Sequence, residues 1–137
     1  MILNAPPNVR FAGFLKGEQL DRFYAECRIL VCPSRWYEGF PNVVARAMAH
    51  GRPVVGARIG VMPEIIEDGV NGVLYDPGDA RQLSLAIQQL WPGLELCRSM
   101  GLRGRQAAER RFAPDVVNEA LMQLYQGLVK HDRPGTL

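Results

Sequence analysis

Glu38 is the carboxylate of a short loop, Trp36-Tyr37-Glu38-Gly39-Phe40, between the strand-like run Arg28–Ser34 and a helix-like segment that starts at Pro41. Proline suits the first turn of a helix, and the first N–H groups of any helix lack partners within it. A ring of oriented N–H donors therefore faces this loop, and that is chemistry suited to an anion. Trp36 and Tyr37 flank the carboxylate, where they either stack on a ligand ring or cover the end of the sheet.

Other groups with chemical potential are sparse. Cys27, Cys32 and Cys97 have no ligand-like spacing and sit among apolar neighbours, so they read as small core residues of a reduced, cytoplasmic protein. His50 and His131 stand alone, and Asp76-Pro77-Gly78-Asp79 reads as a turn, so no metal is expected. The net charge of +2 is too small and too evenly spread for a nucleic-acid partner. The basic stretch Arg98–Arg111 reads as a solvated helix face, the alternative being a surface that touches anionic lipid. No run approaches the roughly 18 apolar residues of a membrane span, and Asn4 and Pro6-Pro7 break up any signal peptide.

The elements that must position the loop follow from periodicity. Val9–Phe14 alternates as a strand does, and Leu20, Phe23, Tyr24 and Cys27 form one helical stripe. Ile29–Cys32 and Pro53–Ala57 are continuous apolar runs, as in parallel strands covered on both faces, with a helix Pro41–His50 between them. A helical turn over Glu64–Glu67 and a short strand Val73–Tyr75 follow. From Asp79, a capping residue, three helical stripes fill the second half, separated by Pro92-Gly93 and Ala113-Pro114, with Asp115 as cap of the last. With 137 residues this is an α/β domain: a parallel sheet layered with helices and a helical C-terminal half.

With these residues laid out, the chain resembles the C-terminal nucleotide-binding domain of GT-B retaining glycosyltransferases, glycosyltransferase family four in particular. The resemblance is carried by Val9–Gly13, Cys32-Pro33-Ser34, Glu38–Val44, Ala47–Val55, Gly60–Ile66 and Asp68–Leu74, in order from Asn8 to Tyr125. It implies a Rossmann-like fold with a core over residues 8–112 and a final helix over 115–130, all within one domain, 1–137. It also implies a hexosyltransferase-type enzyme that binds a nucleotide diphosphate sugar without a metal. Glu38 then resembles the carboxylate that contacts the donor sugar, with Ser34, Gly39, Phe40, Pro41, Asn42, Val43, Arg46 and Gly60 around the donor. Gly39 fits a close approach of backbone to ligand, or equally a tight turn. Gly60 lies at the C-terminal end of a strand, where such sheets hold ligands.

Two departures shape the expectations. Eight positions after Glu38 the family pattern has a second glutamate, which resembles a ligand of the donor ribose; this chain has Arg46, in a polar stripe with Asn42 and His50. An arginine cannot accept hydrogen bonds, so the donor site is expected to be weakened or retuned, with Arg46 paired to Glu38, paired to a ligand phosphate, or simply solvated. The family's first two strand and helix pairs and its acceptor-binding N-terminal domain are also missing. The chain alone is therefore expected to lack turnover. Strand Val9–Phe14 is expected either to pair beside Ile29–Cys32 or to leave that edge for a homodimer. A non-catalytic nucleotide or phosphate binding module, an assembly module, and another enzyme on the same fold stand beside the transferase reading.

Overall fold

The computed structural model describes residues 5–131. Its elements run α1 (Glu18–Glu26), β1 (Leu30–Cys32), α2 (Asn42–Ala49), β2 (Val54–Ala57), α3 (Met62–Ile65), β3 (Gly72–Tyr75), α4 (Ala80–Leu90), α5 (Leu94–Phe112) and α6 (Pro114–His131). The strands pair in the order β1-β2-β3, all parallel, with Val31 opposite Val55 and Val55 opposite Val73. Parallel pairing needs crossovers, which α2 and the α3 turn supply.

Alternation along the strands sorts the core into two layers. Cys32, Val54 and Leu74 join Tyr24, Val44, Met48, Met62, Ile66 and Ala108 on the face covered by α1, α2, α3 and the end of α5. Val55, Ala57 and Tyr75 join Ala86, Leu90, Cys97 and Met100 on the face covered by α4 and the start of α5. Every residue of β2 is buried, which explains why its sequence shows no polar alternation. The helix α5 thus serves both layers, and it crosses the end of α2 where Gly51, at φ 66°, closes that helix. There the Gly51 and Arg52 N–H groups return to the carbonyls of Met48 and Ala47 at 2.8 and 2.9 Å. Asp79 caps α4 as expected, accepting from the Gln82 N–H at 2.9 Å.

Two expectations are corrected. Val9–Phe14 forms no strand; Phe11 and Phe14 are exposed, and β1 pairs with β2 alone. An open cavity lined by Ala12–Leu15 on one side and Leu30–Cys32 on the other holds the two segments apart, so the alternating residues have no ladder to join. Asp115 is not the cap of α6 either. Pro114 opens the helix, the Ala113 carbonyl accepts from the Val117 N–H at 3.1 Å, and Asp115 sits in the first turn, where its charge complements the dipole. The apolar residues Leu121, Leu124 and Leu128 of α6 stay exposed. Among the described residues, no helix is long and apolar enough to cross a membrane.

Burial has a measurable pH signature. It raises the Cys27 thiol above its ordinary 9.0, against the lowering effect of Arg52, and raises the Tyr24 and Tyr75 phenols above their ordinary 10.0. A folded pKa above the unfolded one means that the native chain holds its proton longer. That stability is whole below the unfolded values and is lost as pH rises through the folded ones. Thermal midpoints should therefore hold from neutrality to about pH 9, the ordinary thiol value, and fall progressively above it. A midpoint unchanged well beyond the phenol range would contradict these buried protons.

Candidate functional site

Strand β1 ends at Cys32, and the chain turns through Pro33 and Ser34 into the loop that feeds α2. Pro41 takes the N-cap position, one residue earlier than the first helical turn expected, and makes no side-chain cap. Its carbonyl accepts from the N–H groups of Val44 and Ala45 at 2.9 and 3.2 Å. The N–H groups of Asn42 and Val43 belong to the set that no helix can satisfy internally, and a proline cap offers them no oxygen. This makes the mouth of α2 a donor surface at the C-terminal end of the sheet.

Glu38 faces that mouth half-buried, and the Ser34 hydroxyl donates to its Oε1 at 2.6 Å. A bond of this length to a carboxylate is charge-assisted, and it fixes the Glu38 side chain over the strand end. Ser34, Glu38 and Val43 share one wall of a cavity of about 470 Å³, whose other walls are Ala12–Leu15, Tyr24 and the free edge of β1.

Gly60 braces the loop from the next strand end. Its φ is 56°, and a Cβ there would lie 3.3 Å from Tyr37 Cδ1 and 3.6 Å from the Glu38 nitrogen. Both the left-handed backbone and the packing call for glycine. Gly39 is different: its φ is not positive, and nothing lies within 4 Å of where its Cβ would be. No contact inside the fold accounts for that glycine, and its backbone conformation does not demand one. Phe40 anchors the loop from behind, its ring edge-on to Phe112 at 5.1 Å and 76°. Trp36 and Tyr37 are exposed at 67% and 82%, available to a ring but not covering the sheet.

Arg46 is separated from this group. It does not pair with Glu38; its Nη1 lies 3.9 Å from Asp21 Oδ1 of α1, and the same oxygen is 3.8 Å from His50 Nε2. His50 also stacks on Tyr24 at 5.7 Å, while its backbone N–H closes α2. Asn42 and Arg46 line a second hollow of about 420 Å³ with Arg105, Phe112 and Pro114, on the other flank of α2. The predicted residues thus fall into two groups, Ser34, Glu38, Val43 and the Gly60 brace on one side and Asn42 and Arg46 on the other, with Pro41 buried between them.

The sequence reading missed what stiffens the site. Arg103 Nε donates to the Val70 carbonyl at 3.0 Å and Arg111 Nη1 to the Glu64 carbonyl at 2.7 Å, tying α5 to the turn before β3 and to α3. The basic stretch is a solvated face in part, with Arg98 and Arg105 paired to Glu95 and Glu109 at 2.8 Å each. Spacing along α5 offers no signal for the carbonyl contacts, because their acceptors are more than thirty residues away.

Known proteins share this arrangement. The family model described as Glycosyl transferases group 1 matches residues 2–92. Spore coat protein SA of Bacillus subtilis (strain 168) is 32% identical over 120 residues, covering 87% of this chain and 32% of that protein. Among solved structures, Alr3699/HepE of Anabaena in complex with UDP and glucose superposes with a TM-score of 0.81 at 27% identity, over 88% of this chain and 32% of that one. Sucrose-phosphate synthase from Thermosynechococcus elongatus superposes at a TM-score of 0.75 with 30% identity, over 80% of this chain and 27% of that one. The chain therefore spans about a third of the length of the proteins that it matches.

Proposed function

Because the chain belongs to the glycosyl transferases group 1 family, we propose that it is the donor-binding part of a retaining glycosyltransferase and holds a nucleotide diphosphate sugar at the mouth of α2. One observation carries this reading: an uncapped helix N-terminus and the Ser34-held Glu38 carboxylate meet at the C-terminal end of a parallel sheet. The N–H groups of Asn42 and Val43 suit the diphosphate, and Glu38 suits the hydroxyls of a hexose. Gly39 leaves the backbone open to the ligand between them.

On this reading the N–H donors stabilise the departing diphosphate electrostatically, without a metal ion. Among the described residues that line the cavity with Glu38 there is no lysine, arginine or histidine to share that task. Turnover then requires the further strands and the acceptor-binding domain, and the isolated chain binds donor without transferring sugar. UDP is the natural probe, since a relative has been solved with it. Titration of the labelled chain with UDP should shift the backbone amide signals of Gly39, Phe40, Asn42 and Val43 saturably; unmoved signals would refute the site.

Arg46 stands one turn of α2 beyond that mouth, where the donor's ribose falls in this reading, and it presents donors where ribose hydroxyls call for an acceptor. Arg46→Glu should tighten UDP binding about tenfold, less than the full value of two charge-assisted hydrogen bonds. Because the new carboxylate would face Asp21, the measurement includes the Asp21→Asn, Arg46→Glu pair. Unchanged affinity in both variants would show that position 46 does not touch the donor.

A second reading has its own observations, the unpaired edge of β1 and the exposed apolar residues of α6. It makes the chain an assembly module that associates through that edge. A molar mass equal to one chain at high concentration would remove it.

A further inference from the structure

At the opposite end of the sheet three arginines converge. Arg28 leads into β1, Arg52 leads into β2, and Arg98 stands in the second turn of α5. With Leu94 and Cys97 they line a recess of about 160 Å³. The Nε atoms of both Arg28 and Arg52 are buried and have no hydrogen-bond partner among the described residues. Buried donors are almost always satisfied, and an unsatisfied one on a charged group is especially unfavourable.

The two side chains are also held in place. A terminal nitrogen of Arg52 donates to the Ala25 carbonyl, and the Arg28 guanidinium lies over the Trp91 ring, 5.1 Å from its centre. Neither group is therefore free to swing its Nε into water. Arg98 is paired with Glu95 at 2.8 Å on the exposed rim, the one carboxylate paired with the cluster among the described residues. The 19-residue helix α5 begins here with Gly93 as N-cap and no side-chain cap, so its first N–H groups add to the positive potential.

We propose that this recess binds a single phosphate group. Three guanidinium groups against one carboxylate leave an excess of positive charge, and several guanidinium donors suit the oxygens of a phosphate, which outnumber the two of a carboxylate. The volume equals that of about five waters, enough for one phosphate with solvent and too small for a nucleoside. Since the strands are parallel, the recess lies at the opposite end of the sheet from Ser34 and Glu38, and it stands independently of the donor-site reading.

The test is a titration of the full chain, labelled with ¹⁵N at arginine, with inorganic phosphate, reading the side-chain Nε–H signals. Those of Arg28 and Arg52 should shift together and saturate at one phosphate per chain. Arg52→Gln should weaken binding about tenfold or more, as loss of a charge-assisted donor does, while Arg105→Gln, outside the recess, should leave it unchanged. If Arg52→Gln does not fold, the wild-type titration decides alone. A parallel titration with phosphatidylcholine vesicles containing phosphatidic acid separates the sources: signals that respond only to vesicles assign the phosphate to a lipid headgroup. Signals that respond to neither, or drift linearly without saturation, overturn the proposal.

Discussion

Gly101→Ala is expected to unfold this chain or to cost it at least about 3 kcal/mol, a severe effect for one methyl group. A Cβ at position 101 would lie 1.9 Å from the Gly51 carbonyl oxygen, 2.6 Å from its carbon and 3.3 Å from the Arg52 nitrogen. All three are backbone atoms, and they belong to the turn that ends α2, so no side chain can rotate away. Relief requires α5 to lift from α2, and the two helices together cover the core around Val44, Met48 and Ala108. Gly104→Ala, one turn later in the same helix, is the control. Its Cβ would meet Met48 Cγ at 3.6 Å and the Asn71 carbonyl oxygen at 3.7 Å, ordinary contacts. That variant should be neutral or stabilised by up to about 1 kcal/mol from helix propensity alone. Denaturant midpoints for the two variants decide the matter; equal midpoints would mean that α5 does not cross Gly51 this closely.

The second large effect concerns the sugar half of the proposed ligand. Glu38→Gln should lower the affinity for UDP-glucose about tenfold or more, while UDP itself binds within about twofold of the parent. The reasoning is local. Glu38 accepts from Ser34 at 2.6 Å and keeps further acceptor capacity toward the cavity, whereas an amide oxygen is neutral and its neighbouring NH₂ donates. Hydrogen bonds to a charged group contribute about 1.5–3 kcal/mol, hence the tenfold bound, and the diphosphate contacts to the α2 amides do not involve this side chain. Calorimetric titration of both ligands against both proteins gives the ratio. If UDP and UDP-glucose weaken equally, Glu38 shapes the loop rather than touching the sugar.

How much of this could be read beforehand differs by element. The strands β1 and β2, α2 with its glycine stop, and the Asp79 cap were legible because each is written in a few neighbouring residues, although only β2 is buried throughout. Val9–Phe14 misled for the same reason: it carries the alternation of a strand, but pairing depends on a partner edge, and β1 lies across a cavity from it. The cap of α6 was misplaced by one or two residues because both Pro114 and Asp115 favour a helix start, and proline takes the earlier position. In the site, Ser34 and Glu38 could be named from the sequence but their mutual bond could not. Arg46 was expected beside Glu38, beside a phosphate or in solvent, and it stands half-exposed with Asp21 of α1 3.9 Å away. The two glycines that matter most for packing, Gly72 and Gly101, had no local signature, since what excludes a methyl there is backbone distant in sequence.

The ring pair Phe40–Phe112 sets where this unit may be cut. Phe112 is the last residue of α5, and it steadies the loop that carries Glu38 from more than seventy positions downstream. A fragment ending with the sheet at Tyr75 would keep every strand and still release its recognition loop. Removing α6 at Pro114 would spare it. The shortest fragment that keeps the Glu38 loop packed is therefore bounded by an aromatic wedge, and not by the last hydrogen-bonded strand.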